Sequence, residues 1–149
     1  GHHTPLYSSK QQVASLDKAV YLLRKAGVPP EKIVAGAAFY ARVFRTSTAD
    51  NKGLYQPATF SHTVPWRQME ATITEAAGWT WFLDPATQAP YAWNATEKLF
   101  LTCDNVPSVQ AKARFVRTQR LGGIMFWQLR DDKAIGGLMD ALYKELYKP

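Results

Sequence analysis

The chain has one cysteine, Cys103, in 149 residues, so no disulfide can form within it. It has no apolar run of membrane-spanning length. The best run, IVAGAAFYA over 33–41, falls far short of the about 20 residues that a bilayer requires. The opening GHHTPLY lacks the charged and apolar regions of a signal peptide. His2 and His3 are adjacent, without the helical spacing that aims two imidazoles at one metal, and they resemble the scar of a tag. There is no Gly-rich phosphate loop, no metal-ligand spacing, and no Ser-x-x-Lys or Gly-x-Ser-x-Gly nucleophile motif. No cofactor and no metal are therefore expected. His62 stands alone as a surface polar residue. No internal repeat or low-complexity tract is evident.

What is present is globular in character. A hydrophobic content of 46% excludes a disordered chain, and the length fits one domain or a piece of a larger one. The net charge is +6, yet the basic residues are scattered rather than blocked. The stretches KAR (112–114) and RTQR (117–120) have the spacing of a solvated helix face. A nucleic-acid footprint clusters its charge, so neither nucleic acid nor membrane is expected as a partner.

SLDKAVYLLRKA (15–26) reads as a helix with Ser15 as N-cap and Asp17 in the positive first turn. Leu16, Ala19, Val20 and Leu23 fall on one face, and Gly27 with Pro29-Pro30 ends it. KIVAGAAFYARV (32–43) then reads as one strand, apolar on both faces and covered on both sides. Residues 45–103 differ in composition, being rich in Thr, Pro, Asn and aromatics. Extended pieces are expected at GLYQP (53–57), WTWFL (79–83), APYAW (89–93) and KLFLT (98–102), the last two forming a hairpin around NATE. RQMEATITEAA (67–77) suits a short helix. Helical pattern returns at SVQAKARFVRTQ (108–119), with Val109, Ala113 and Val116 on one face. Gly122-Gly123 stops it before a second buried strand, IMFWQL (124–129). GLMDALYKELY (137–147) closes the chain, burying Leu138, Leu142 and Leu146. Two short parallel strands are not a viable sheet, because their outer N–H and C=O rows stay unpaired. Partner strands are therefore expected, supplied by a missing N-terminal portion or by self-association.

EKIVAGAAFYARV, APYAWN, SVQAKARFV and RLGGIMFWQL together resemble, in order and separation, the C-terminal part of family-18 glycoside hydrolases, the chitinases. GHHTPLYSS fits the stretch after the sixth strand there. The resemblance implies an α/β fold, the C-terminal portion of a (β/α)8 TIM barrel with an inserted α+β subdomain. Residues 1–44 would hold helix 6 and strand 7. Residues 45–103 would be the chitinase insertion subdomain, and 104–149 helix 7, strand 8 and helix 8. The parent protein would hydrolyse β-1,4-linked N-acetylglucosamine polymers, and a secreted or periplasmic location would follow.

Barrel active sites lie at the C-terminal ends of the strands, which is where Trp127 falls. From the residues alone it suits a core tryptophan as well as a sugar platform; the resemblance implies the platform. Pyranose C–H faces lie flat on an aromatic ring, and covering about 100 Å² of indole contributes about 2 kcal/mol. Tyr40 and Arg42, in FYAR, would add a phenol hydroxyl and a guanidinium fork toward sugar oxygens. Ala41 stands where the family has Gly, adding a methyl that could trim a subsite. Tyr91 and Trp93, in PYAW, would form a cleft wall. Cys103 in TCDN replaces a family aromatic and suits a small buried hydrophobe. Asn94-Ala95-Thr96 is a glycosylation sequon.

The family's acidic run, DxxDxDxE, is absent from this sequence. Its Glu protonates the leaving oxygen while the substrate's own acetamido group attacks the anomeric carbon, a substrate-assisted route. Asp131 and Asp132 are adjacent, and neighbouring loop residues point apart. A cleft wall without a general acid binds without accelerating cleavage. The chain alone is thus expected to be inactive, with no catalytic residue of its own. The competing readings are a catalytically inactive, lectin-like barrel relative and an isolated structural fragment.

Overall fold

The computed structural model describes residues 1–148, which form two sheets. Helix α1 spans Leu16–Lys25 and is capped as expected, Ser15 accepting the Lys18 N–H. Its buried face is narrower than the periodicity implies. Val20 is buried, whereas Ala19 and Leu23 are exposed, and Leu22 and Tyr21 with them.

Strand β1 (Val34–Ala38) pairs in parallel with β7 (Gly123–Trp127), in the register Val34↔Gly123 to Ala38↔Trp127. Gly122 permits this approach: a Cβ there would collide with the Glu31 carbonyl where the two strands begin. One face of the pair is packed. Ala37, Ile124, Phe126 and the adjoining Phe39 lie against Val109 and Ala113 of α3 (Val106–Thr118) and Leu138, Ala141 and Leu142 of α4 (Leu138–Leu146). The other face is open, with Val34 56%, Met125 50% and Trp127 63% exposed. The expected covering on both faces is therefore absent among the described residues.

The expected single strand 32–43 breaks at Phe39. This fully buried ring stacks on Phe126 at 4.4 Å, its N–H donates to the Trp127 carbonyl, and its carbonyl accepts the Trp66 N–H. Both backbone groups are thus committed to different elements, and the chain turns there. Tyr40 opens β2 (Tyr40–Thr46), which belongs to a five-stranded antiparallel sheet. Its members are β3 (Ala58–Pro65), β4 (Trp79–Asp84), β5 (Ala89–Asn94) and β6 (Leu99–Thr102), in the order β3-β2-β6-β5-β4.

The β5–β6 hairpin forms around NATE as expected. GLYQP instead lies in a turn region, with Asp50–Gly53 in a 3-10 turn, and β3 follows it. That edge strand lacks an alternating apolar pattern, because nearly all of it is exposed. The 67–77 helix is broken, with α2 (Met69–Thr72) between two 3-10 turns. Ala41 and Val43 face Met69, Ile73, Trp79, Ala92, Leu101 and Cys103, while Tyr91, Trp93 and Phe100 cluster around Leu54 elsewhere in the subdomain. Alternate residues of a strand point to opposite sides of a sheet, so β2 directs Tyr40 and Arg42 away from Ala41 and Val43.

Candidate functional site

Because β1 and β7 are parallel, their C-terminal ends, Ala38 and Trp127, coincide at one end of the pair. Phe126 points to the helices and stacks on Phe39. Pleating then turns Trp127 to the open face, where the indole is 63% exposed. Met125 lies two residues back on that face, across from Gly36. The indole at this strand tip is a flat apolar surface on the same face as Met125 and Gly36.

Tyr40 and Arg42 lie just beyond the tip of β1. The Tyr40 hydroxyl is 3.4 Å from His3 Nε2, and the His3 N–H donates to Thr102 Oγ1 at 2.9 Å. The Arg42 guanidinium sits over the Phe44 and Phe60 rings, at 5.6 and 5.4 Å from their centroids. Ala41 is fully buried in the subdomain core, so its extra methyl packs inward and trims no subsite. Tyr91 and Trp93 are 7% and 6% exposed. Their rings pack in the cluster of Leu54 and Phe100, with Phe82 stacked on Tyr91 at 5.2 Å. They shape the subdomain from within and do not present an open ring face.

The pattern described as Glycosyl hydrolases family 18 matches residues 1–132. The chain belongs to glycosyl hydrolase family 18. It is 31% identical to Chitinase B of Serratia marcescens over 148 residues, covering 80% of this chain and 29% of that protein. Among solved structures, it superposes with TM-score 0.89 and 35% identity on a family 18 N-acetylglucosaminidase from Paenibacillus barengoltzii, covering 98% of this chain and 43% of the other. Human YKL-39, described as a pseudo-chitinase with retained chitooligosaccharide binding, shares the fold at TM-score 0.85 and 22% identity, over 98% of this chain and 45% of its own. The chain therefore spans under a third of the curated Chitinase B and less than half of these solved chains. Its two parallel strands with their helices are part of the family 18 barrel fold.

Several residues in this family 18 chain carry more than their local sequence announces. Asp104 and Lys112, each 1% exposed, form a buried ion pair with Nζ–O distances of 2.7 and 2.6 Å. Lys112 is thus no part of a solvated helix face, unlike its neighbour Arg114. The signal was present in part as Ser108 and Lys112, one i,i+4 step apart on α3, both reaching the Asp104 carboxylate just ahead of the helix. His2 and His3 are built into the fold. His2 is 5% exposed and its Nε2–H donates to Asp84 Oδ2 at 3.0 Å. Burial depresses the pKa of both imidazoles; for His2 the Asp84 carboxylate offsets this only in part, and for His3 the Arg42 charge depresses it further. Burial alone would raise the Asp84 carboxyl, but hydrogen bonds from Thr87, the Ala86 N–H and His2 outweigh it and hold it below its usual value.

The acidic pair does point apart. Asp131 lies 3.5 Å from Arg67, while Asp132 accepts the N–H groups of Lys133, Leu138 and Met139 and so closes the start of α4. Cys103 sits in the subdomain core, where burial pushes its thiol well above the usual pKa. Asn94 of the sequon is buried, and its Nδ2 donates to the Ala77 carbonyl at 3.0 Å. His62 is exposed, and its Nδ1 lies 2.9 Å from the Ser61 hydroxyl.

Proposed function

We propose that the whole protein is a chitinase-like hydrolase of β-1,4-linked N-acetylglucosamine polymers, acting by substrate-assisted, retaining cleavage. This chain supplies one side of its sugar-binding cleft and no catalytic acid. Residues 1–39 and 104–149 serve as barrel parts, and 40–103 as the inserted subdomain, because β2 from Tyr40 belongs to its sheet; the boundary at 45 expected from composition moves to 40. The single observation that supports this reading most is the place of Trp127 at the C-terminal end of β7, on the face of the strand pair turned away from the helices. The C-terminal ends of barrel strands are where barrel enzymes hold their substrates. Tyr40 and Arg42, just beyond the tip of β1, would serve as polar contacts for sugar hydroxyls, and Tyr91 and Trp93 would support the cleft wall through packing. A family 18 enzyme 35% identical to the chain is an N-acetylglucosaminidase by its description, and Chitinase B is a chitinase by name.

The test uses the full-length protein with chitotetraose. Hydrolysis with retained anomeric configuration, lost in a Trp127→Ala variant that folds normally, is the expected result. Tight chitotetraose binding without cleavage would assign a lectin-like role instead. Neither binding nor cleavage would end the carbohydrate reading.

A further inference from the structure

Asp104 joins three parts of the chain at one buried point. Its Oδ2 accepts the Ala38 N–H at 3.0 Å, the Thr4 hydroxyl at 3.1 Å and Lys112 Nζ at 2.6 Å. Its Oδ1 accepts the Ser108 hydroxyl at 2.8 Å and Lys112 Nζ at 2.7 Å. Successive N–H groups of a strand point to opposite edges. The Phe39 N–H reaches β7, donating to the Trp127 carbonyl at 2.8 Å, so the Ala38 N–H points to the edge of β1 away from β7. Asp104 therefore holds one edge of the β1 tip while the Trp127 backbone holds the other. Ala38 is also the register partner of Trp127.

We propose that Asp104 is a positioning residue for the Trp127 platform, acting through the Ala38 N–H and the tip of β1; this rests on the reading that Trp127 carries a sugar. The carboxylate is itself immobilised, because Lys112, Ser108 and Thr4 occupy its remaining lone pairs. A supporting group locked in this way transmits its position to the residue it holds.

The experiment compares two paired variants of the full-length protein, both without the buried charges. Asp104→Asn with Lys112→Met keeps an oxygen for the Ala38 N–H, and Asp104→Leu with Lys112→Met removes it. Affinity for chitotetraose is measured by calorimetry, with and without Trp127→Ala. The asparagine pair is expected to bind nearly as the native protein does and the leucine pair about tenfold more weakly. In the Trp127→Ala background the two pairs are expected to bind alike. Equal binding by the two pairs, or the same loss in both backgrounds, overturns the inference while leaving the platform reading intact. No loss from Trp127→Ala alone sinks the platform reading, and this inference with it. Should the leucine pair not fold, hydrogen exchange at the Ala38 amide in the asparagine pair decides. Retained protection with retained affinity supports the clamp, and lost protection with retained affinity overturns it.

Discussion

Trp127 stands opposite Ala38 in the parallel ladder, and the next N–H along, that of Phe39, donates to its carbonyl at 2.8 Å. The backbone of Trp127 is thus held firmly while its side chain is left open. Trp127→Ala should therefore separate binding from stability. In the full-length protein we expect chitotetraose affinity to fall by about 2 kcal/mol, roughly thirtyfold, from the lost sugar-covering surface. The urea midpoint should move little. A large drop in stability with unchanged affinity would return the residue to a packing role.

Lys112 and Asp104 are both shielded from water, so neither charge tolerates the loss of the other. Lys112→Met alone should destabilise the fold by about 3–5 kcal/mol, and Asp104→Asn with Lys112→Met, which keeps an oxygen for the Ala38 N–H, by less. Urea unfolding of the native protein, both single variants and the double variant checks this. A double variant as unstable as the sum of the singles would show that the pair is not coupled.

The two buried imidazoles give a pH dependence of defined sign. Burial lowers the folded pKa of His2 and His3 below the ordinary 6.5, so the unfolded chain binds more protons in the interval between. Their stabilisation is present above 6.5 and is lost as pH falls through that value toward the lower folded pKa. The unfolding midpoint should decline across this window, and His2→Asn should make the decline shallower. Rising stability on acidification would mean that the imidazoles are charged in the folded state.

Asn94 donates to the Ala77 carbonyl and accepts the Glu97 N–H at 3.0 Å each, tying the β5–β6 turn to the 3-10 turn before β4. Asn94→Ala leaves both backbone groups without their partner, at a cost of about 1–3 kcal/mol. Thermal melting should report this, whereas Glu97→Ala at the exposed neighbouring position should be nearly silent.

Val34, Met125, Trp127 and Leu129 are exposed apolar residues at or just beyond the β1–β7 pair, and each strand of that pair has an edge without a strand partner among the described residues. The 149-residue chain is expected to self-associate, and Val34→Lys with Met125→Lys to reduce association. Sedimentation velocity distinguishes the outcomes; a monomer at high concentration contradicts the expectation.

Local patterning was enough for much of the architecture. Helices α1, α3 and α4, strands β4 to β7 and the β5–β6 hairpin follow from periodicity, caps and turn residues, because those signals act between neighbours in the chain. The resemblance carried by RLGGIMFWQL and its companion motifs pointed to the family and to Trp127. What local pattern could not decide was direction. Trp93 and Trp127 are both tryptophans near strand ends, yet one is 6% and the other 63% exposed. Alternation says only that successive side chains take opposite faces; which face is covered depends on elements distant in sequence. The break at Phe39 has the same origin, since its two backbone groups answer to Trp127 and Trp66. The partners of Asp104 include Thr4 and Ala38, 100 and 66 residues away, and His2 meets Asp84 across 82. Buried polar groups must find hydrogen bonds wherever the folded chain brings them, so tertiary packing alone turned a tag-like histidine and a surface-like lysine into parts of the interior.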